Sequence, residues 1–309
     1  MSEPARADDT PDEDKPVVAS GFPALEAIEV TTADNARFVV RVRAQDDPGA
    51  PAVLVLPAMA MKAKFYYPLV KALHAEGLSV ATADLRAQGE STPSLAESPN
   101  FGYREIVETD LPAITEAVAK RFPEAPLYVF GHSLGGQTAL LYAAANSDRV
   151  SGLCLFATGS VYWRAFPVKR QPSVLIGGRI IGLVSKLRGH WPGGMFVPAP
   201  VAGRVMTDWC FQNLTGRYRL GGSKLDYAPL LRELSVPVLA ISLDNDELGP
   251  RTNVDFLCSR IPNAKVTRWH WDETSGVVGN LGHFAWIKDS TAVAAKVAPW
   301  ITGEAELSA

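Results

Sequence analysis

The chain has 309 residues, 47% hydrophobic and 20% charged, with a formal net charge of −3. That length suits one large α/β domain with room for an insertion, and the composition is ordinary for a globular protein. The near-neutral balance gives no ground for a nucleic-acid partner, and no apolar run is long enough for a transmembrane segment.

Glu3, Asp8, Asp9, Asp12, Glu13 and Asp14 face only Arg6 and Lys15 at the start of the chain. Residues 1–20 therefore read as a disordered acidic tail, the reverse of a signal peptide. Cys154, Cys210 and Cys258 are an odd number and widely spaced, which favours buried thiols over disulfides. Together these features predict a cytoplasmic protein.

Residues 26–30 and 37–43 alternate in the strand manner around Thr32-Ala33-Asp34-Asn35 and read as a hairpin. Residues 52–56 form a continuous apolar strand. Phe65, Leu69, Ala72 and Leu73 then fall at helical spacing, and residues 78–83 return as a strand. Ile106, Leu111, Ile114 and Val118 mark one face of a further helix. Residues 127–132 are a strand, and the Ala- and Leu-rich residues 137–145 suit a buried helix. Residues 150–156, 238–243 and 264–271 read as strands, the second entered through Pro237, and residues 284–301 are mostly helical. Strands alternating with helices predict an α/β fold: a mainly parallel eight-stranded sheet with helices on both faces.

One interval breaks the rhythm. Residues 161–226 show no strand, an apolar run at 173–184, a loop-rich stretch at 191–200 and a helix near 201–212. They read as a helical cap inserted into a core made of residues 21–160 and 227–309. The interval holds ten Lys and Arg against two Asp, an excess of eight positive charges. Those cations are either a solvated face or an anion-attracting rim. The rim would serve a carboxylated or phosphorylated substrate, an acidic acyl carrier protein, or an acidic membrane surface.

Between the strand at 127–132 and its helix lies Gly131-His132-Ser133-Leu134-Gly135-Gly136. A bare Gly-x-Ser-x-Gly is weak, and a glycine-rich helix start can also cradle phosphate. No Gly-Lys-Ser/Thr accompanies it, however, and strand, tight turn and helix are the context that exposes a nucleophilic serine. A serine hydroxyl needs a base to take its proton, and the base needs an orienting carboxylate. Of the five histidines, His132 sits inside the turn and cannot bend back onto its neighbour. His74, His190 and His270 fall in a helix, the insertion and a strand. His283 lies in a loop just before the last helix, at a sheet edge where sites form, and is the candidate base. The acid follows the penultimate strand, in Leu243-Asp244-Asn245-Asp246. Asp246, further into the turn, is preferred over Asp244; either could instead cap the helix near Pro250. The oxyanion donors are the amide of Leu134 and one from the loop Pro57-Ala58-Met59-Ala60-Met61, with Met59 the candidate. Met61, Tyr162, Trp163 and Trp209 are candidate pocket residues.

These landmarks resemble the α/β-hydrolase superfamily over residues 24–302. Leu54-Val55-Leu56, Asp84-Leu85-Arg86-Ala87-Gln88-Gly89, Gly131 to Gly136, Asp246 and Gly282-His283 follow one another in that family's order. The chain is similar to a serine-esterase-like group whose oxyanion loop opens with Pro-Ala, here Pro57-Ala58, in place of His-Gly. That group also has an aromatic pair after the sixth strand and an Asp-Trp in the cap, here Tyr162-Trp163 and Asp208-Trp209. Ala87 stands where the family usually has glycine. The resemblance implies a serine hydrolase that cleaves an ester or thioester of a small-molecule acyl substrate through an acyl-enzyme, without metal or other cofactor. The alternatives are an acyltransferase or thioesterase passing the acyl group to an alcohol or amine, and a non-catalytic hydrolase-fold small-molecule binding protein.

Overall fold

The computed structural model describes residues 25–194, 197–272 and 282–303; the acidic tail lies outside them. The chain opens with the hairpin β1 (Glu26–Thr31) and β2 (Arg37–Arg43), followed by β3 (Ala52–Leu56), α1 (Tyr67–Ala75) and β4 (Ser79–Thr82). A short α2 (Tyr103–Glu105) runs through a π turn into α3 (Leu111–Arg121). Pro112 sits in the first turn of α3, where no amide donor is needed. Strand β5 (Leu127–His132), α4 (Leu134–Ala145) and β6 (Gly152–Phe156) then bring the chain to the insertion.

The insertion contains α5 (Gln171–Arg188), β7 (His190–Trp191), β8 (Val201–Ala202) and α6 (Gly203–Thr215). Helix α7 (Tyr227–Glu233) leads back to β9 (Val238–Leu243), α8 (Arg251–Cys258), β10 (Val266–Trp271) and α9 (Ser290–Thr302). The sequence predicts no strand in 161–226, and this needs correcting. His190 pairs with Ala202 and Trp191 with Val201 in an antiparallel ribbon. Two residues a side are too few to show alternation. The pairing depends on Gly189 at φ +75° and on the Gly203 amide donating to its carbonyl at 3.1 Å.

The main sheet has the order β1-β2-β4-β3-β5-β6-β9-β10, with β2 antiparallel to both neighbours and the remaining pairs parallel. Alternation explains why its central strands read as continuous apolar runs. In β3, Ala52, Leu54 and Leu56 join one core while Val53 and Val55 join the other. The first core packs against α3, α4, α7 and α8, the second against α1 and α9. Helix α4 is buried from Leu134 to Ala143, as a helix apolar on every side must be. Each fully buried Leu or Val here stabilises the fold by about 1.5–3 kcal/mol. The three cysteines are free thiols; burial pushes Cys210 up to about 12 and Cys258 up to about 11.

The loop after β4 is tied down by charge. The Arg86 guanidinium bonds Asp110 of the π turn and grips Asp34 of the hairpin turn at 2.8 and 3.0 Å. Those bonds, outweighing burial, hold the Asp34 carboxyl down to about 2. A lowered carboxyl contributes fully above its ordinary value of 3.8 and loses that contribution as pH falls toward 2. Because Asp34 is largely solvated, the effect is expected to be about 1 kcal/mol or less. Urea unfolding at pH 4 and pH 2 should show a smaller loss for Asp34→Asn than for the parent; equal losses would exclude this ion pair as the cause.

Candidate active site

Ser133 sits at the junction of β5 and α4 with φ 53° and ψ −116°. For a residue with a side chain this conformation costs about 1–3 kcal/mol, so the surroundings must enforce it. They do so by close backbone approach. A Cβ on Gly131 would lie 2.4 Å from the Gly136 Cα, and one on Gly135 would lie 2.5 Å from the Leu56 carbonyl oxygen. Glycine at both positions lets β5 turn directly into α4, with β3 packed alongside. The turn is pinned by the Ser133 amide donating to Phe156 at 3.2 Å and the Gln137 amide donating to Ser133 at 3.0 Å.

His283 is buried, and its Nδ1 lies 2.7 Å from the Asp246 Oδ2. The other carboxylate oxygen of Asp246 accepts the amides of Leu248 and Gly249, both at 2.8 Å. Both oxygens are thus committed, which fixes the carboxylate plane. An Nδ1–H donating to it leaves Nε2 of the neutral imidazole free to accept a proton. Asp244 is placed elsewhere. It is half exposed, and its carboxylate lies 3.7 Å from the His270 Nε2 at the sheet edge.

Ser133 and His283 line one cavity of about 200 Å³ together with Ala58, Met59, Leu134 and Trp209. Much of its remaining wall is apolar and comes from the insertion, through Val161, Phe166, Val174 and Ile181, with Leu248 and Phe284 contributed by the core. Met61, Tyr162 and Trp163 lie outside this lining, contrary to the sequence reading. Met61 packs on the second core. The Tyr162 ring lies 5.1 Å from Phe256 of α8, and Trp163 is covered by the Arg164 guanidinium at 4.9 Å. The chain turns after them, and Phe166 lines the cavity with Trp209 and Phe284. Of the insertion's ten cations, Arg170 borders the cavity, donating to the Glu247 carbonyl.

In the loop after β3, the Ala58 amide donates to the Tyr66 hydroxyl at 2.9 Å and the Met61 amide to the Ala58 carbonyl at 3.1 Å. With its amide turned to satisfy both of its groups, Gln88 takes the Ala60 amide at 3.2 Å. Pro57 has no N–H, so Met59 is the loop's remaining donor. The Leu134 amide, in the first turn of α4, precedes the first intrahelical bond.

Sequence reading missed the support behind His283. The buried Tyr66 hydroxyl lies 2.7 Å from the His132 Nδ1, and the His132 ring centroid is 4.8 Å from that of His283. Burial first, and then the neighbouring His283, hold the His132 pKa well below its ordinary value, so this imidazole stays neutral. Burial pushes the Tyr66 phenol up, so it remains the donor. A tyrosine in a helix start and a histidine beside the serine are distant in sequence and carry no shared pattern. Tyr66→Phe would strip partners from a buried amide and a buried imidazole, with an expected cost of about 1–3 kcal/mol by denaturant unfolding. An unchanged midpoint would show that neither group needs the hydroxyl. Among the described residues no group of three His, Cys, Asp or Glu is placed to hold a metal ion.

Residues 48–190 match a family described as serine aminopeptidase, S33. No curated protein sequence matches the chain. Among solved structures the chain is similar to Est1E from Butyrivibrio proteoclasticus with ferulic acid bound: 14% identity, TM-score 0.61, 90% of this chain and 98% of that one. It is also similar to the Pyrococcus furiosus esterase Pf2001, at 18% identity and TM-score 0.58, over 90% and 92% of the two chains. The thioesterase domain from the curacin biosynthetic pathway matches at 15% identity and TM-score 0.55, over 89% and 99%. At these identities the likeness is one of fold.

Proposed function

We propose that this chain, which has the α/β-hydrolase fold, is a serine hydrolase of small, largely apolar carboxylic esters or thioesters. The observation that carries this reading is the convergence on one cavity of Ser133, held in a strained turn, and His283, held by Asp246. Ser133 Oγ attacks the acyl carbon while His283 Nε2 takes its proton. Asp246 keeps the imidazole in the right tautomer and stabilises the imidazolium. The Met59 and Leu134 amides receive the developing oxyanion, a type of interaction worth about 10²–10³ in kcat per donor. His283 then protonates the leaving group, and water, activated by the same histidine, releases the acyl-enzyme.

Residues 161–226 act as the cap in this scheme, closing an apolar wall over the nucleophile. The wall favours an acyl chain over a peptide. A free α-amine would need an unpaired carboxylate in the cavity, and Glu247, which borders it, stands 3.7 Å from Arg170. A binding role without turnover would have no use for the strained backbone at Ser133, which supports the enzyme over the receptor. The test has two parts. A fluorophosphonate probe should label the purified chain at Ser133, and p-nitrophenyl esters of increasing length should show kcat/KM peaking at short to medium acyl groups. Failure of the probe to label would sink the nucleophile assignment. Faster release of an aminoacyl amide than of any ester would sink the substrate class.

A further inference from the structure

Helix α5 is apolar on two sides. Its inner side gives Val174, Gly177, Gly178 and Ile181 to the cavity. On the outer side Ile176, Ile180, Leu183 and Leu187 recur at helical spacing and are 58%, 46%, 60% and 76% exposed. Val168, just ahead of the helix, is 79% exposed. Single exposed apolar residues are ordinary, but a stripe of this kind over about 16 Å of one helix marks an interaction surface.

Charge selects among partners for that stripe. Lys169, Arg179, Lys186 and Arg188 are exposed on or beside the same helix, within an insertion of ten basic and two acidic residues in a chain of net charge −3. A second copy of the chain laid on the stripe would bring these cations against their own kind. An anionic lipid surface answers both features, taking apolar side chains into the acyl boundary and cations among its headgroups.

We infer that the outer face of α5 docks the protein onto the surface of an anionic lipid bilayer, with the helix lying in the interface plane. No described helix is long and apolar enough to cross a membrane, so this is surface attachment. Since the inner side of α5 is a wall of the cavity, docking sets the candidate active site about one helix diameter, roughly 10 Å, from the lipid. The attachment does not depend on the chemistry at Ser133, so it can be tested apart from turnover.

The full chain would be sedimented with phosphatidylcholine vesicles, with and without added phosphatidylglycerol. Partition is expected on the anionic vesicles, with little on the neutral ones. It should weaken steeply between about 0.01 M and about 1 M salt, as the Debye length shrinks from about 30 Å to about 3 Å. Ile180→Ser with Leu183→Ser, both at exposed positions, should lower partition by roughly tenfold or more. Arg179→Glu and Lys186→Glu should each lower it by about fivefold or more. All these variants should keep the parent's circular dichroism and its turnover of a short soluble ester. The inference is overturned if the parent stays in the supernatant with anionic vesicles, or binds neutral and anionic vesicles alike. It is equally overturned if the double serine variant still partitions like the parent, or if the stripe variants dissolve a dimer seen by sedimentation velocity.

Discussion

Replacing Ser133 by alanine is expected to lower kcat by about 10⁴-fold or more, as removal of a triad nucleophile does elsewhere. Alanine carries the same Cβ as serine, so the φ 53° strain stays and unfolding should be nearly unchanged. That separates loss of chemistry from loss of fold. His283→Ala should cost about as much, and the double variant scarcely more, because the groups act as a unit. Ser133→Gly makes a sharper case. It removes the hydroxyl and relieves the left-handed strain, so the protein should gain about 1 kcal/mol in stability while losing its activity. Ester turnover and urea unfolding on the same preparations check both halves. An alanine variant keeping most of its turnover would move the nucleophile elsewhere.

Asp246→Asn is expected to lower kcat by about 10³–10⁴-fold, on the pattern of other triads. The carboxylate accepts two amides on Oδ1 and faces the His283 Nδ1 with Oδ2. An asparagine keeping the amide bonds must place its NH₂ toward Nδ1. Nδ1 then becomes an acceptor, the proton moves to Nε2, and the base is lost. Asp244→Asn, at a half-exposed side chain near His270, should change kcat by less than about tenfold. Steady-state kinetics of the two variants on one ester decide the matter, and the opposite ranking would transfer the acid role two residues upstream.

The order of the elements was legible because each strand and helix is written locally. Runs such as Val53-Leu54-Val55 and the spacing of Ile106, Leu111, Ile114 and Val118 record burial on two faces or one, whatever the partner. The turn around Ser133 was legible for the same reason. The close approach of Gly131 to Gly136 is a steric demand made within six positions. The ribbon of β7 and β8 was not legible, since two-residue strands have no period to read.

What the sequence by itself determined was the set of chemical groups and the sheet-edge loops that carry them. It narrowed the acid to Asp244 and Asp246, in one turn after β9, and preferred Asp246 as the one further into the turn, without saying which histidine each would meet. Only the tertiary structure separated them, by setting β10 with His270 beside Asp244 and the last loop with His283 beside Asp246. The cavity wall was likewise a tertiary outcome. Tyr162 and Trp163 look like pocket aromatics in sequence, yet α8 draws the Tyr162 ring onto Phe256 and Phe166 lines the cavity instead. Tyr66, in the turn before α1, reaches His132 of β5 across 66 residues. Local physics sets which side chains reach an edge; three-dimensional packing decides which of them meet.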